Sequence, residues 1–264
     1  MSAQLLIAKL CTDPSLREEF QNSPDKVLEK YKIDPSKWAE LKEINMFQIN
    51  DFSAQIFYGR AKKIRSQVPY FRKIYSEDAF MDLLRELHSV FPSIPYNVSS
   101  IYSDLVNLLT LLEAKKSNPI MVDVLKYEIA LYYTSMKDYI LQMNGNTHWD
   151  IDNKHIVLAE GVYLLDTAYP LNQLLQYAKN PHFTEIRPER TISIINRTSR
   201  DSIKFYRIDP FTFDFITSIN DALSIHEHIK QYVTKIGIPS YSEKLNQIVI
   251  SLLNKGIFVE RKET

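Results

Sequence analysis

The chain has 264 residues, enough for two domains of ordinary size, each with its own core. Its 32 Lys and Arg balance 32 Asp and Glu, so no global field draws polyanions or anionic lipid to it. The single cysteine, Cys11, excludes a disulfide framework and a cysteine metal cluster, and five glycines make a glycine-rich phosphate loop unexpected.

No basic region followed by a long apolar core opens the chain. The most apolar stretch, Ile101 to Leu112, is broken by Asp104 and Asn107 and is too short to span a bilayer. A cytoplasmic protein without membrane association is expected.

The first third carries three cap-then-proline starts, Asp13-Pro14, Ser23-Pro24 and Asp34-Pro35. They predict short helices over Ala3 to Cys11, Pro14 to Gln21, Pro24 to Tyr31 and Pro35 to Glu43, around Leu16, Phe20, Val27, Leu28, Tyr31 and Ile33. A longer helix is predicted from Asp51 to about Val68. Between Arg60 and Lys73 lie six basic residues (Arg60, Lys62, Lys63, Arg65, Arg72, Lys73), with no acid between Phe52 and Ser76. Such a stretch is either a solvated face or a local docking surface for an acidic partner. Helices from Ser76 to near Pro92, from Ser100 to Ala114 and from Pro119 to Met143 follow, the last with Val122, Leu125, Ile129, Tyr132, Met136 and Ile140 at helical spacing. Met143 to Asn153 reads as a joint, His155 to Leu165 as extended, Tyr169-Pro170 as the start of a helix to Ala178, and Lys179 to Glu189 as a linker.

In the last quarter Thr191 to Ile195 and Ile203 to Ile208 alternate like strands of a hairpin. Asp209-Pro210 starts a helix, and capping boxes at Ser224 to Glu227 and Ser240 to Glu243 start two more. Gly256 ends the third, and Ile257 to Glu260 can return to the sheet. A hairpin, three helices and a strand make a winged-helix-like module, which binds nucleic acid, captures a peptide along a sheet edge, or is purely structural. A DNA-reading third helix offers several cations, but Ser240 to Asn254 holds one Lys, Lys244, beside Glu243. That favours peptide capture by strand addition over a DNA-binding regulator.

No catalytic set emerges. His226 and His228 are two apart on a helix, unlike metal ligands three or four apart. His148 and His155 flank a loop with Asp150 and Asp152 that reads as solvated, and Cys11 as a small core residue. No nucleophile elbow, Walker loop, dinucleotide fingerprint or zinc-protease motif occurs.

Three stretches together resemble a known family. AKLCTDPSLREEFQNSPDKVLEKYKID, followed by the basic YGRAKKIRSQVPYF, is similar to the helical entry of the partner subunits of multinuclear non-heme iron-dependent oxidases. These act in ribosomal-peptide maturation, including the methanobactin and bufferin systems. NPIMVDVLKYEIAL looks like that family's long-helix element, with Asp123, Tyr127 and Glu128 at matching places and Ile129 where the family tends to Trp. His155 to Tyr177 resembles its extended stretch followed by Tyr-Pro. The C-terminal module is similar to the same partners and, more loosely, to peptide-recognition elements of the PqqD type. The family's first domain is also described as DNA-binding, which the charge pattern here does not match.

The resemblance implies a non-catalytic subunit without a cofactor of its own. It would dock on a separate barrel oxidase that holds the iron and modifies cysteines of a ribosomal precursor peptide, and it would capture that peptide's leader. The expectation is a mainly α fold with a small β component: a helical docking domain (1–150), a mixed connecting segment (151–189) and a winged-helix-like α+β domain (190–264). Docking residues are expected at Arg60, Lys63, Asp123, Tyr127 and Glu128. Peptide contacts are expected on one of two edge strands, at Thr191, Ser193 and Ile195 or at Lys204, Tyr206 and Arg207.

Overall fold

The structure is a computed structural model and describes residues 2–92, 101–137, 154–180, 186–199 and 202–261. Among the described residues helix accounts for 67% and strand for 12%, with a small antiparallel sheet in the C-terminal region. The chain divides into two compact units, Met1–Ile129 with Leu175–Thr184, and Ala130–Leu174 with Glu185–Thr264.

The first unit opens with α1 (Ala3–Thr12), α2 (Pro14–Asn22) and α3 (Pro24–Lys30), then a 3-10 turn (Pro35–Lys37) leading into α4 (Trp38–Lys42). Two of the three predicted caps form: Asp13 accepts from Leu16 N at 3.0 Å and Asp34 from Ser36 N at 2.9 Å. Ser23 makes no side-chain cap bond, and the single helix expected over Pro35 to Glu43 is instead the turn plus α4. Leu6, Leu10, Leu16, Phe20, Val27, Leu28, Ile33 and Leu41 close a core with Ile49 of α5 (Met46–Gln67). That helix starts earlier than Asp51 because the Asn45 side chain accepts from the N–H groups of Phe47 and Gln48. Then come α6 (Pro69–Ile74), α7 (Glu77–Val90), α8 (Ile101–Ala114) and α9 (Pro119–Met136), of which the part up to Ile129 belongs to this unit. Ile64, Phe71, Phe80, Leu84, Leu87, Leu105 and Leu108 are buried among them. The stretch of the predicted helix from 138 to Met143 lies outside the described residues.

The other unit holds β1 (Ile156–Leu158), β2 (Tyr163–Thr167), β3 (Thr191–Ser199), β4 (Ser202–Ile208), α11 (Pro210–Ser218), α12 (Ile225–Ile236), α13 (Ser242–Asn254) and β5 (Phe258–Glu260); α10 is Leu171–Lys179. Asp209 caps α11 and a reciprocal Ser224–Glu227 box caps α12. At the third start no box forms; a 3-10 turn, Pro239–Tyr241, runs straight into α13. Phe215, Ile216, Ile225, Ile229, Tyr232, Leu245, Val249 and Leu253 form the core, joined by Ile194 and Phe258 from strands.

The sheet order is β2-β3-β4, all antiparallel, with Ile194 opposite Leu164 on one side and Tyr206 on the other. β5 does not return to this sheet but pairs with β1, Leu158 opposite Phe258. The cause is local: the extended stretch predicted over His155 to Leu165 is broken by a turn at Glu160 and Gly161, the latter with φ 89°. One stretch thereby becomes two strands that serve two sheets. Among the described residues no helix is long and apolar enough to cross a membrane.

Candidate functional site

The strand order decides between the two expected edges. β3 is central, with β2 on one side and β4 on the other, so its main chain is not an open edge. Thr191, Ser193 and Ile195 are buried. The expectation that they contact a peptide is corrected: they are interior, and two are polar because their hydroxyl groups can be satisfied inside. Thr191 Oγ1, for example, donates to the Glu189 carbonyl at 3.1 Å.

β4 lies at the end of the sheet. Tyr206 and Ile208 pack against the core, and Lys255 Nζ sits 5.2 Å from the Tyr206 ring centroid. Lys204 and Arg207 are exposed; Arg207 Nη2 donates to Glu189 Oε1 at 2.6 Å, an exposed pair worth ~0.5 kcal/mol. Phe205, an apolar residue that marks this strand in the sequence but is not among the expected contacts, is 41% exposed. Its signal was available: it alternates with core-facing Tyr206 and so points away from that core. The edge thus offers a large apolar ring on the face away from the core, with Arg207 two residues further along that face, while Lys204 falls on the opposite face.

The expected docking residues fare differently. Arg60 is buried, not presented to a partner. Its Nη2 donates to Asp104 Oδ1 and its Nη1 to the Phe91 carbonyl, both at 2.6 Å. Nη1 also lies 3.4 Å from His88 Nδ1, which must accept because a guanidinium only donates. Burial, with the adjacent Arg60 charge, lowers the His88 imidazole to about 4, so it is neutral at pH 7. Among the described residues Arg60 Nε and His88 Nε2 have no hydrogen-bond partner.

Glu128 is 2% exposed and also not a docking residue. Its two oxygens accept from Tyr70 N at 2.7 Å and Phe71 N at 2.9 Å, closing the first turn of α6 from a distant part of the chain. Burial raises its carboxyl to about 7, against the opposing pull of those N–H groups and of Lys73. Tyr127, half-buried, packs its ring 6.5 Å from that of Tyr70, and Asp123 is buried. Lys63 alone of the five is exposed. The basic stretch is likewise partly neutralised: Arg65 makes a two-pronged contact with Glu77, which Arg72 approaches at 3.9 Å.

The remaining chemistry is sparse. Among the described residues no three His, Cys, Asp or Glu side chains gather as a metal site. His148, Asp150 and Asp152 lie outside the described residues, and His155 Nδ1 lies 3.2 Å from the Asp221 carbonyl. His228 is buried against Phe215, 3.3 Å from Ser218 Oγ. Cys11 packs on the first core, and burial raises its thiol despite Arg17, which favours the protonated, unreactive form. On α13, Lys244 lies over the rings of Phe211 and Tyr241 at 5.5 and 5.3 Å, so the helix's single cation is engaged by aromatic faces.

No family model matches the chain, and no curated protein matches it.

Proposed function

We propose that this chain is a non-catalytic subunit that captures a ribosomally made precursor peptide by strand addition on β4 and presents it to a separate iron-dependent oxidase. The observation that supports the reading is the edge position of β4, with Phe205 exposed on the face away from the core and Lys204 and Arg207 exposed along the same strand. Strand addition draws affinity from main-chain hydrogen bonds, and alternate side chains supply choice. Here Phe205 offers an apolar contact, and Lys204, with Arg207 shared with Glu189, favours an acidic residue in the leader. The ordering entropy of a disordered leader keeps the affinity moderate, which suits a peptide that must be released after modification. In this division of labour the iron and the oxidation of cysteines belong to the barrel oxidase.

The test uses the purified chain, a multinuclear iron-dependent barrel oxidase and a short cysteine-containing ribosomal precursor peptide. Precursor addition is expected to slow amide exchange along Ser202–Ile208. Phe205→Asp is expected to weaken binding by about tenfold or more, the loss of a central aromatic contact. Unchanged exchange in β4 on saturation, or oxidation of the precursor by this chain alone, overturns the proposal.

A further inference from the structure

Arg207 lies on the edge strand β4, yet its charge is engaged inside the chain, where Nη2 donates to Glu189 Oε1 at 2.6 Å. The pairing register explains the direction of that reach. Arg207 stands opposite Ser193 and Phe205 opposite Ile195, so both side chains rise from the face away from Tyr206 and Ile194. Glu189 leads into β3 and therefore lies on the β3 side of Arg207. An added strand pairs on the other side of β4, where no strand among the described residues stands. One guanidinium can face Glu189 or a carboxylate of the incoming strand, and rotation of its own side chain separates the two positions.

The main chain around Glu189 is fixed. Its N–H donates to the Ala168 carbonyl at 2.9 Å, and its carbonyl accepts from Thr191 Oγ1 at 3.1 Å. Next to it Arg190 forks onto Asp166, Nε at 3.0 Å and Nη2 at 2.7 Å. These bonds hold the Glu189 carboxylate beside the edge, while its side chain stays 57% exposed and that of Arg207 66%. An ion pair so open to water is weak, so a second carboxylate displaces it at little cost. The exchange leaves Arg207 paired throughout and returns Glu189 to the solvent it already meets.

We infer that Glu189 is an intramolecular stand-in for an acidic side chain of the captured strand: it holds Arg207 until such a residue takes its place, so the β4 edge selects extended peptides with an acid opposite Arg207. The inference rests on strand capture at β4 and adds a specificity-determining pair to it. Phe205, two residues before Arg207 on the same face, sets the neighbouring contact. An added strand presents alternate side chains to one face, so the favoured peptide carries an apolar residue and, two positions away, an acid.

The test uses the full chain and a short labelled Thr- and Val-rich strand peptide carrying one Leu and, two positions on, Glu, with Gln and Lys versions as companions. The Glu peptide is expected to bind most tightly and the Lys peptide least. Glu189→Gln should tighten the Glu peptide by about twofold, the strength of one exposed ion pair, and leave the Gln peptide unchanged. Arg207→Gln should remove the preference for Glu. Glu189→Gln placed in that background should then do nothing, because the two side chains act as one unit. Amide exchange along Ser202–Ile208 locates each bound peptide. If the peptides protect β4 but Glu189→Gln leaves the Glu peptide's affinity unchanged, or tightens it equally without Arg207, the inference is overturned and capture at β4 stands. A parent chain that protects β4 yet prefers the Gln or Lys peptide has the same meaning. If no peptide slows exchange there, capture and inference fall together.

Discussion

Glu128 and His88 are both buried ionisable groups of the first unit, and their shifts have opposite signs. The Glu128 carboxyl rises from 4.5 to about 7, so the folded chain holds a proton that the unfolded chain has lost, and stability falls as pH rises through that window. The His88 imidazole drops from 6.5 to about 4, so the unfolded chain binds the extra proton, and stability falls as pH drops through that window. The windows overlap between 4.5 and 6.5, where the two slopes oppose each other. In Glu128→Gln only the histidine slope remains, and stability to denaturant should rise with pH there by roughly 1 kcal/mol per unit. His88→Gln should show the reverse slope, and the parent chain a flatter profile than either. Urea unfolding at a series of pH values reads all three. Parallel profiles for the three proteins would refute the assignment. The glutamine at 128 should also lower stability at every pH by ~1–3 kcal/mol, because an amide nitrogen cannot accept from one of the two N–H groups it faces.

At the scale of elements, what was legible was what is written locally. Asp13, Asp34, Asp209 and Ser224 announce helix starts because a cap acts within three residues of itself. Similar spelling at Ser240 to Glu243 misleads, since Pro239 sets up a 3-10 turn whose last residue is already helical, leaving no extended cap position. Non-local facts were not legible. Alternation in Thr191 to Ile195 identifies a strand but cannot say that it has neighbours on both sides, and an acid on a helix such as Glu128 reads as surface. What buries it is the start of α6, some 57 residues earlier in the chain. The candidate edge was therefore half legible: β4 was one of two options, and only pairing excluded β3. Helix energetics supply a prediction at this scale. Ser224→Ala should destabilise the second unit by ~1 kcal/mol through loss of the box. Gly59→Ala should stabilise the first by up to ~1 kcal/mol, because a Cβ there meets nothing within 4 Å and helical propensity alone acts. Thermal unfolding of the two variants should move in opposite directions.

For the molecule as a whole, the proposed separation of delivery from chemistry can be measured. If the chain contributes only capture, its benefit to the oxidase is a raised local concentration of precursor, and any other tether of suitable reach should replace it. Phe205→Asp removes the apolar contact at the β4 edge while leaving the core residues beneath, Ile194 and Tyr206, in place. With free precursor below saturation, this variant should reduce oxidase turnover by about tenfold, in line with the loss of binding. Joining the precursor to the same variant through a flexible Gly/Ser linker supplies a millimolar effective concentration and should return turnover to near the parent rate. The rescue has to vanish when the linker is too short to span the distance to the oxidase centre, which distinguishes tethering from an unspecific effect of fusion. Had the chain instead supplied a reacting group from β4, joining the peptide to it would leave the defect untouched.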